Sequence, residues 1–223
     1  MCGRYATTRS DADLTLLFEA EDVTDGFDAS WNVAPTDPVP VVRVAERRRV
    51  LDRAKWGLIP SWSGDPRSGS RMINARAETV ASSPAFGPSF AQRRCLVPAD
   101  GWFEWVRDGQ RKQPYFMTPA DGSVLAFAGL WSMWRGDVLT STIITTEAVG
   151  GLAGVHHRMP LILPPERWGE WLVGDAPSVR PMGADELGFI EIRPVGAEVG
   201  NVHNNGPQLI ARHVQEPEIP TLF

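Results

Sequence analysis

Short strand-like segments separated by turn residues dominate this sequence, and they limit what the chain can fold into. Nine segments are rich in the β-branched and aromatic residues that favour β-strands. Gly109 and the pair Asp121-Gly122 predict hairpin turns between some of them. The pattern predicts a strongly bent sheet or open β-barrel. The segments are residues 39–44, 50–59, 95–97, 102–107, 114–117, 124–131, 140–145, 160–163 and 189–195.

Helical patterns are short and flank these strands. Ser10 predicts an N-cap, and Asp13 follows three residues later as in a capping box, so a first helix is expected over residues 10–20. Leu14, Leu17 and Phe18 would share its buried face. No repeat or low-complexity linker divides the chain. We therefore expect an α+β fold in a single domain of residues 1–223, with peripheral short helices at 77–82, 89–94 and 166–173 and with 174–188 and 207–223 peripheral or flexible.

Net charge first argues against a nucleic-acid partner. The chain has 223 residues, and 22 basic against 27 acidic side chains give a formal charge of −5. The acids, however, concentrate at the two ends, and residues 41–160 carry 16 basic and 10 acidic side chains. Of all the basic residues, 20 are arginine, the residue suited to two-point phosphate contacts. The distribution is compatible with a local anion site, although such charge blocks can also mix on a folded surface.

Other protein classes are excluded by simple counts. No apolar run approaches the roughly 18 residues that span a bilayer, and the first ten residues lack the features of a secretory signal. Two cysteines, Cys2 and Cys95, are too few for a disulfide framework or a structural zinc site. We expect a cytoplasmic protein without a membrane partner, a metal or a cofactor.

Cys2 is the sharpest chemical feature, because removal of Met1 would leave a cysteine with a free α-amine. An α-amine has a pKa of about 7.7–8.0, so roughly 10–15% of it is neutral at pH 7. Such an amine forms an imine with an aldehyde, and the neighbouring thiol can then close a thiazolidine ring. The thiolate alone could instead attack an acyl carbon. The second cysteine, Cys95, is expected to pack in a strand.

Two further segments carry candidate acid–base groups. Alternation along residues 102–107 places Glu104 on one face with Trp102 and Val106, and apolar surroundings raise a carboxyl pKa towards the range that is useful for proton transfer. His156 and His157 lie beside an arginine, before a predicted strand. Adjacent side chains should diverge, which favours acid–base chemistry by one histidine over metal binding.

Three more residues suit contacts with DNA. Asn74 and Arg76 lie two positions apart, so in an extended segment both share one face and could reach a phosphodiester. Trp62 follows a turn after an apolar stretch, and an exposed tryptophan there could stack on a base.

Taken together, these segments resemble the SOS-response-associated peptidase (SRAP) family of abasic-site processing proteins. Ten motifs occur in the family's order and cover the chain from residue 1 to about 210. They are MCGR at 1–4, WNVAP at 31–35, WGLIPSW at 56–62, INARAET at 73–79, CLVPADGWFEW at 95–105, PYF at 114–116, AGLW at 128–131, TIITTEA at 142–148, HHRMPLIL at 156–163 and GNVHNNG at 200–206.

The resemblance implies a protein that binds abasic sites in single-stranded DNA and shields them by lyase-like chemistry. Cys2, exposed by removal of Met1, would form the thiazolidine crosslink, and Met1 would be removed by the protein itself or by an aminopeptidase. Partners would be the damaged strand and replication-fork proteins, and the protein would be a monomer. The implied catalytic residues are Cys2, Asn74, Glu104 and His156; the implied DNA-binding residues are Arg4, Asn32, Pro35, Trp62, Arg76, Thr145 and Arg158.

Two alternative functions remain open at this point. Class II glutamine amidotransferases also begin Met-Cys-Gly, and in such an amidohydrolase Cys2 would attack a glutamine amide while Asn205-Gly206 formed the oxyanion hole. A non-catalytic single-stranded DNA-binding protein would use the central arginines and tryptophans without any covalent step.

Overall fold

The computed structural model describes residues 2–109 and 111–213 of the chain. In these ranges strands provide most of the regular structure, and the helices are short. The strands are β1 (Tyr5–Thr7), β2 (Glu21–Asp22), β3 (Ser30–Val33), β4 (Pro38–Ala45), β5 (Arg48–Trp56), β6 (Asn74–Arg76), β7 (Arg94–Ala99), β8 (Gly101–Asp108), β9 (Arg111–Pro119), β10 (Leu125–Trp134), β11 (Val138–Glu147), β12 (Arg158–Pro160) and β13 (Ile190–Pro194). The α-helices are α1 (Asp11–Phe18), α2 (Gly87–Gln92) and α3 (Pro165–Val173), and 3-10 helices cover Pro66–Arg71, Gly150–Gly154, Ala197–Gly200 and Pro207–Ile210.

A ring of five strands forms a closed barrel. Antiparallel pairing runs in the order β5, β4, β7, β10 and β11. A short parallel pairing of β11 with β5, at Thr140 with Lys55 and Ser141 with Trp56, closes the ring. The predicted α+β fold with a barrel-like sheet is therefore confirmed, and β2, β6 and β12 extend the barrel sheet at its margins.

A second sheet packs against this barrel and carries the start of the chain. Its strand order is β13, β9, β8, β1 and β3. One hydrophobic cluster joins the two sheets: the ring of Tyr5 meets that of Trp56 edge-on at 5.1 Å between ring centroids, and Trp102 meets Phe127 at 6.0 Å. The N-terminal strand is thereby held inside the core. Cys95 is fully buried in β7, as expected.

The first helix begins as the capping pattern predicts. Ser10 Oγ accepts a hydrogen bond from the Asp13 backbone N–H at 3.1 Å and donates one to the Asp13 carboxylate at 2.8 Å. Leu14 and Phe18 are fully buried, whereas Leu17 is 42% exposed, so the buried face is narrower than expected. In the described parts of the chain, no helix combines the length and apolar composition needed to cross a membrane.

Two of the other helix predictions need correction. Residues 77–82 form turns instead of a helix, because the Ala77 N–H continues the pairing of β6 with β11 by donating to the Thr145 carbonyl at 2.9 Å. The helix expected over 89–94 is α2, which ends at Gln92. Arg94 belongs to β7, and its guanidinium donates to the carbonyls of Phe90 and Ala91 at the end of α2.

The two segments expected to be peripheral or flexible differ from each other. Residues 174–188 contain no helix or strand, although Leu187 packs into the core between the sheets. Residues 207–213 include a 3-10 helix with Leu209 buried against β1 and β8 residues. The rest of the C-terminal segment, residues 214–223, lies outside the described residues, as does Met1.

Candidate functional site

The pairing of β1 with β8 brings the N-terminus to Glu104. Tyr5 lies opposite Trp102 in the antiparallel ladder, and the Phe103 N–H donates to the Arg4 carbonyl at 2.9 Å. The chain before Tyr5 therefore runs beside Phe103 and Glu104. Cys2 is fully buried; this burial, and secondarily the charge of Glu104, raise the pKa of its thiol. The thiol is consequently neutral at physiological pH.

Asn74 fixes the backbone of Cys2 from the other sheet. Asn74 starts β6, which lies parallel to β11 with Asn74 opposite Ile143. Its side-chain amide donates to the Cys2 carbonyl at 2.7 Å. Its Oδ1 is buried and has no hydrogen-bond partner among the described residues. Because a buried polar atom without a partner costs free energy, this oxygen is an acceptor available to a group that enters the site.

Glu104 is a buried carboxyl group, only 4% exposed. Burial raises its pKa. Its Oε1 lies 3.9 Å from His156 Nδ1, which is an electrostatic contact but longer than a hydrogen bond. A carboxyl group with a raised pKa in this position is suited to accept and return protons.

His156 lies between the 3-10 helix Gly150–Gly154 and β12. Its Nδ1 lies 2.9 Å from the Arg158 backbone nitrogen and 3.1 Å from the Arg158 carbonyl oxygen, so it can accept from the first or donate to the second. Burial lowers its pKa, so the ring is neutral at pH 7. The His156 and His157 rings stack with their centroids 4.3 Å apart, which corrects the expectation that the two side chains diverge. His157 itself is exposed.

Metal binding finds no support in this cluster. Across residues 2–109 and 111–213, no three His, Cys, Asp or Glu side chains come together as a metal-binding group. The site consists of a cysteine, an amide, a carboxyl group and an imidazole, which come from four separate stretches of the chain.

Arg158 is held by the protein itself. It is 7% exposed and forms a two-point ion pair with Glu78, at 2.7 Å from Nη1 to Oε1 and 3.0 Å from Nη2 to Oε2. Nη2 also donates to the Thr145 carbonyl at 2.6 Å, and Thr145 is fully buried. Glu78 was not among the residues predicted to form the site, although it lies in the INARAET motif, four positions after Asn74.

Arg4 and Asn32 are likewise tied to neighbouring segments. Arg4 Nη1 donates to Asn32 Oδ1 at 2.8 Å and to the Val199 carbonyl at 2.9 Å. The Asn32 amide nitrogen donates to the carbonyls of Asn201 and Asn204, both at 2.9 Å. Asn32 is 3% exposed and all of its polar atoms are used, so it anchors the 201–204 turn to β3.

Three candidate DNA contacts lie at the surface to different degrees. Trp62 is 68% exposed in the loop after β5, as the sequence predicted, and Arg76 is exposed at the end of β6. Pro35 is half-buried in the turn between β3 and β4. Asn205, the candidate oxyanion-hole residue, accepts the Trp31 N–H at 2.8 Å and donates to the Ala29 carbonyl at 3.2 Å, so its side chain is used to hold β3.

Fold and site together define a barrel protein whose second residue is a cysteine that is bonded by an asparagine and lies in the field of a buried glutamate, which in turn contacts a histidine. The profile of one family, SOS response associated peptidase (SRAP), matches residues 1–202, and the chain belongs to that family. The chain is 36% identical to the abasic site processing protein YedK of Escherichia coli (strain K12), covering 94% of this chain and 99% of YedK. It is 34% identical to the abasic site processing protein YoqW of Bacillus subtilis (strain 168), covering 96% and 100%.

A solved structure supports the fold independently. The crystal structure of a protein from Bacteroides thetaiotaomicron superimposes with a TM-score of 0.83 at 22% identity, covering 96% of this chain and all of that one.

Proposed function

We propose that this protein processes abasic sites in single-stranded DNA by forming a thiazolidine crosslink through Cys2 once Met1 has been removed. The observation that carries the proposal is that Asn74 bonds the Cys2 backbone while the charge of Glu104, which contacts His156, acts on the Cys2 thiol, so that distant segments meet near the second residue of the chain. The names of the relatives YedK and YoqW, abasic site processing proteins, support the substrate class.

An abasic site suits an N-terminal cysteine chemically. Its ring-opened sugar bears an aldehyde at C1′ within a chain of anionic phosphates. Attack on that aldehyde needs an amine that is partly neutral near pH 7, which an α-amine provides and lysine does not. The unstacking of neighbouring bases is inexpensive in a single strand or beside a lesion.

The reaction balances with the loss of one water. The Cys2 α-amine attacks C1′ to give a carbinolamine, which expels water to give an imine. The Cys2 sulfur then bonds to C1′, the C=N double bond becomes a single bond, and the thiol proton ends on nitrogen. Because burial keeps the thiol protonated, it is expected to react second, after the imine has formed.

The surrounding side chains have separate roles in this reaction. Glu104 accepts a proton from the α-ammonium group, which leaves the neutral amine to attack, and it can pass the thiol proton to nitrogen. The neutral His156 ring accepts the C1′ hydroxyl proton and, as the imidazolium, gives a proton to the sugar ring oxygen as the ring opens; the reverse transfers occur when the crosslink is undone. Asn74 holds the Cys2 backbone, and its free Oδ1 can accept a hydrogen bond from the sugar.

DNA binding is proposed to divide between exposed and structural residues. Arg76 would contact a phosphate and Trp62 would stack on a base, since both side chains are exposed. Pro35 would lie where the strand is unstacked. The other proposed contacts, Arg4, Asn32, Thr145 and Arg158, would act mainly by shaping the backbone that the strand meets. The net charge of −5 predicts weak binding to undamaged duplex, so the covalent bond would retain the protein.

The biological setting follows as part of the same proposal. The protein would act as a monomer in the cytoplasm, without cofactor or metal, on damaged single strands near replication-fork proteins. Met1 would be removed either by the protein's own SRAP activity or by an aminopeptidase.

The test is heat-stable retention of a labelled abasic oligonucleotide by the Met1-free protein. We expect retention by the native protein and by Cys95→Ala, which removes the other buried cysteine, and none by Cys2→Ala. Binding of an intact oligonucleotide should change by less than a few-fold. Retention by Cys2→Ala would overturn the assignment. Ammonia release from glutamine would instead indicate an amidohydrolase. Equal, non-covalent binding of intact and abasic strands would indicate a simple binding protein.

A further inference from the structure

Glu78 forms one of the best-defined contacts beside the site, yet it has no part in the reaction described above. Its two oxygens bond separate nitrogens of Arg158, at 2.7 and 3.0 Å, a pairing that fixes both the plane and the direction of the guanidinium. The Glu78 side chain is 47% exposed, whereas that of Arg158 is only 8% exposed. The hydrogen bonds from Arg158 lower the pKa of Glu78, so the carboxylate is charged at neutral pH.

The backbone of Arg158 connects its ion pair with Glu78 to the site. Its side chain is held from a second direction by the Thr145 carbonyl, and its backbone pairs with Glu147 across β11 and β12. The N–H nitrogen and the carbonyl oxygen of that same residue lie 2.9 and 3.1 Å from His156 Nδ1. A fixed Arg158 therefore fixes the backbone groups that the His156 ring faces.

We propose that Glu78 is a positioning residue for His156: by holding Arg158 it fixes the backbone group that Nδ1 bonds, and so fixes which ring nitrogen of His156 carries the proton. The inference rests on the proposed function for its consequence, since the His156 ring is the group that would transfer protons to and from the sugar. The positioning itself is a property of the folded protein and can be measured without DNA.

The local fold explains why Glu78 can do this. The chain turns after β6, where the Thr79 N–H donates to the Arg76 carbonyl at 3.2 Å. This turn directs Glu78 back towards β12, whereas Arg76, two residues earlier, stays exposed. Without the carboxylate, the buried guanidinium would lose two charged hydrogen bonds and would move to find other acceptors.

A competing explanation makes the opposite prediction. If Glu78 only occupied Arg158 until a DNA phosphate displaced it, removal of the carboxylate would free Arg158 for phosphate. Glu78→Gln would then bind intact single strands more tightly, with a steeper salt dependence, and would crosslink faster.

The experiment compares full-length, Met1-free native protein with Glu78→Gln and Glu147→Gln. Glu147 is exposed opposite Arg158 in the sheet, so its variant makes the same charge change without touching the guanidinium. Long-range ¹H–¹⁵N NMR spectra report which ring nitrogen of His156 is protonated, with His156→Asn used for assignment. Crosslinking rates are measured on the same samples with an abasic oligonucleotide.

We expect one tautomer of His156 in the native protein and in Glu147→Gln, and a mixture of tautomers in Glu78→Gln. The crosslinking rate of Glu78→Gln should fall about ten-fold, the usual size of effect when an orienting hydrogen-bond partner is lost. Glu78→Asp should give an intermediate result. An unchanged His156 signal in Glu78→Gln, or faster crosslinking, would overturn the proposal. If the native protein fails to crosslink, the proposed function falls, while the NMR comparison still decides whether Glu78 positions His156.

Discussion

The side-chain amide of Asn74 donates to the backbone carbonyl of Cys2 at 2.7 Å, although 72 positions separate the two residues in the chain. This bond ties the N-terminal segment, which belongs to one sheet, to the edge of the barrel, which belongs to the other. It makes the position of Cys2 depend on correct packing of the two sheets. The reactive residue is therefore fixed in the folded protein although it lies near the chain terminus, where residues are usually mobile.

Loss of that bond should slow crosslinking without unfolding the protein. We expect Asn74→Ala to reduce the crosslinking rate about 100-fold, because the amine of Cys2 would no longer be held in an attack geometry. Binding of intact single strands should change little. The control is Gln92→Ala, which removes an exposed amide at the end of α2. A native rate in Asn74→Ala, measured by single-turnover crosslinking, would contradict a positioning role for the amide.

The raised pKa of Glu104 predicts how stability depends on pH. Because burial raises this pKa in the folded protein, the folded state holds its proton to higher pH than the unfolded chain does. The contribution of Glu104 to the free energy of unfolding is therefore largest at low pH and declines as the pH rises through the raised pKa. Glu104→Gln carries no charge to bury, so at pH 8 we expect it to be more stable by about 1 kcal/mol, or about 2–4 °C in Tm.

Glu104→Gln should crosslink more slowly although it is more stable, so activity and stability should change in opposite directions. Crosslinking by the native protein should rise with pH as Glu104 and the α-amine lose their protons, and Glu104→Gln should be slow at every pH and keep only the rise that comes from the α-amine. Thermal unfolding and crosslinking rates measured between pH 5 and 8 test both effects. A less stable Glu104→Gln at pH 8 would show that the charged carboxylate is well compensated in the fold.

The two stacked histidines should differ in importance. His156→Ala removes the proposed proton donor, and general acid catalysis typically contributes about 100-fold or more to a rate. His157→Ala removes an exposed ring and should change the rate by less than about three-fold, the size of effect expected for a surface substitution. Both variants are compared by single-turnover crosslinking, and the exchange of the crosslink to a second oligonucleotide measures reversal. Equal losses in the two variants would show that the pair acts as a unit.

Arg76 and Arg158 should separate DNA binding from folding. Arg76→Ala should weaken binding of intact single strands and lower the slope of log K against log salt by about 0.7, the value for one phosphate contact. Arg158→Ala should lower the free energy of unfolding by about 2 kcal/mol, less than for a fully buried pair because the Glu78 side chain is 47% exposed. Salt titrations and thermal unfolding test the two predictions. An unchanged Tm in Arg158→Ala would contradict the structural role of its ion pair.

The sequence predicted the parts of this structure that depend on local pattern. The burial of Glu104 was predicted, although Phe103 on the opposite face of the strand is buried as well, and the capping pattern identified the start of α1. Four short strands, β1, β2, β3 and β6, were missed, because they exist only through pairing with strands far away in the chain. Residues 77–82 were wrongly predicted as a helix, because the hydrogen bond from Ala77 to β11 replaces its first turn.

Side-chain partners were the least predictable part of the site. Nothing in the local sequence indicates that Arg158 bonds Glu78 or that Asn32 bonds the turn at 201–204, because each pair is brought together by the barrel. From residue type alone, Arg158 and Asn32 were therefore predicted to contact DNA.

The most direct test of the Cys2 chemistry is intact-mass spectrometry of the Met1-free protein after incubation with an abasic single strand. For the native protein we predict a heat-stable adduct with the mass of protein plus oligonucleotide minus one water, attached at Cys2, without any reductant. Cys2→Ser keeps the amine but lacks the thiol, so its adduct should appear only after borohydride reduction of the imine. A heat-stable adduct of Cys2→Ser without reductant, or a native adduct attached at any other residue, would contradict thiazolidine formation at Cys2.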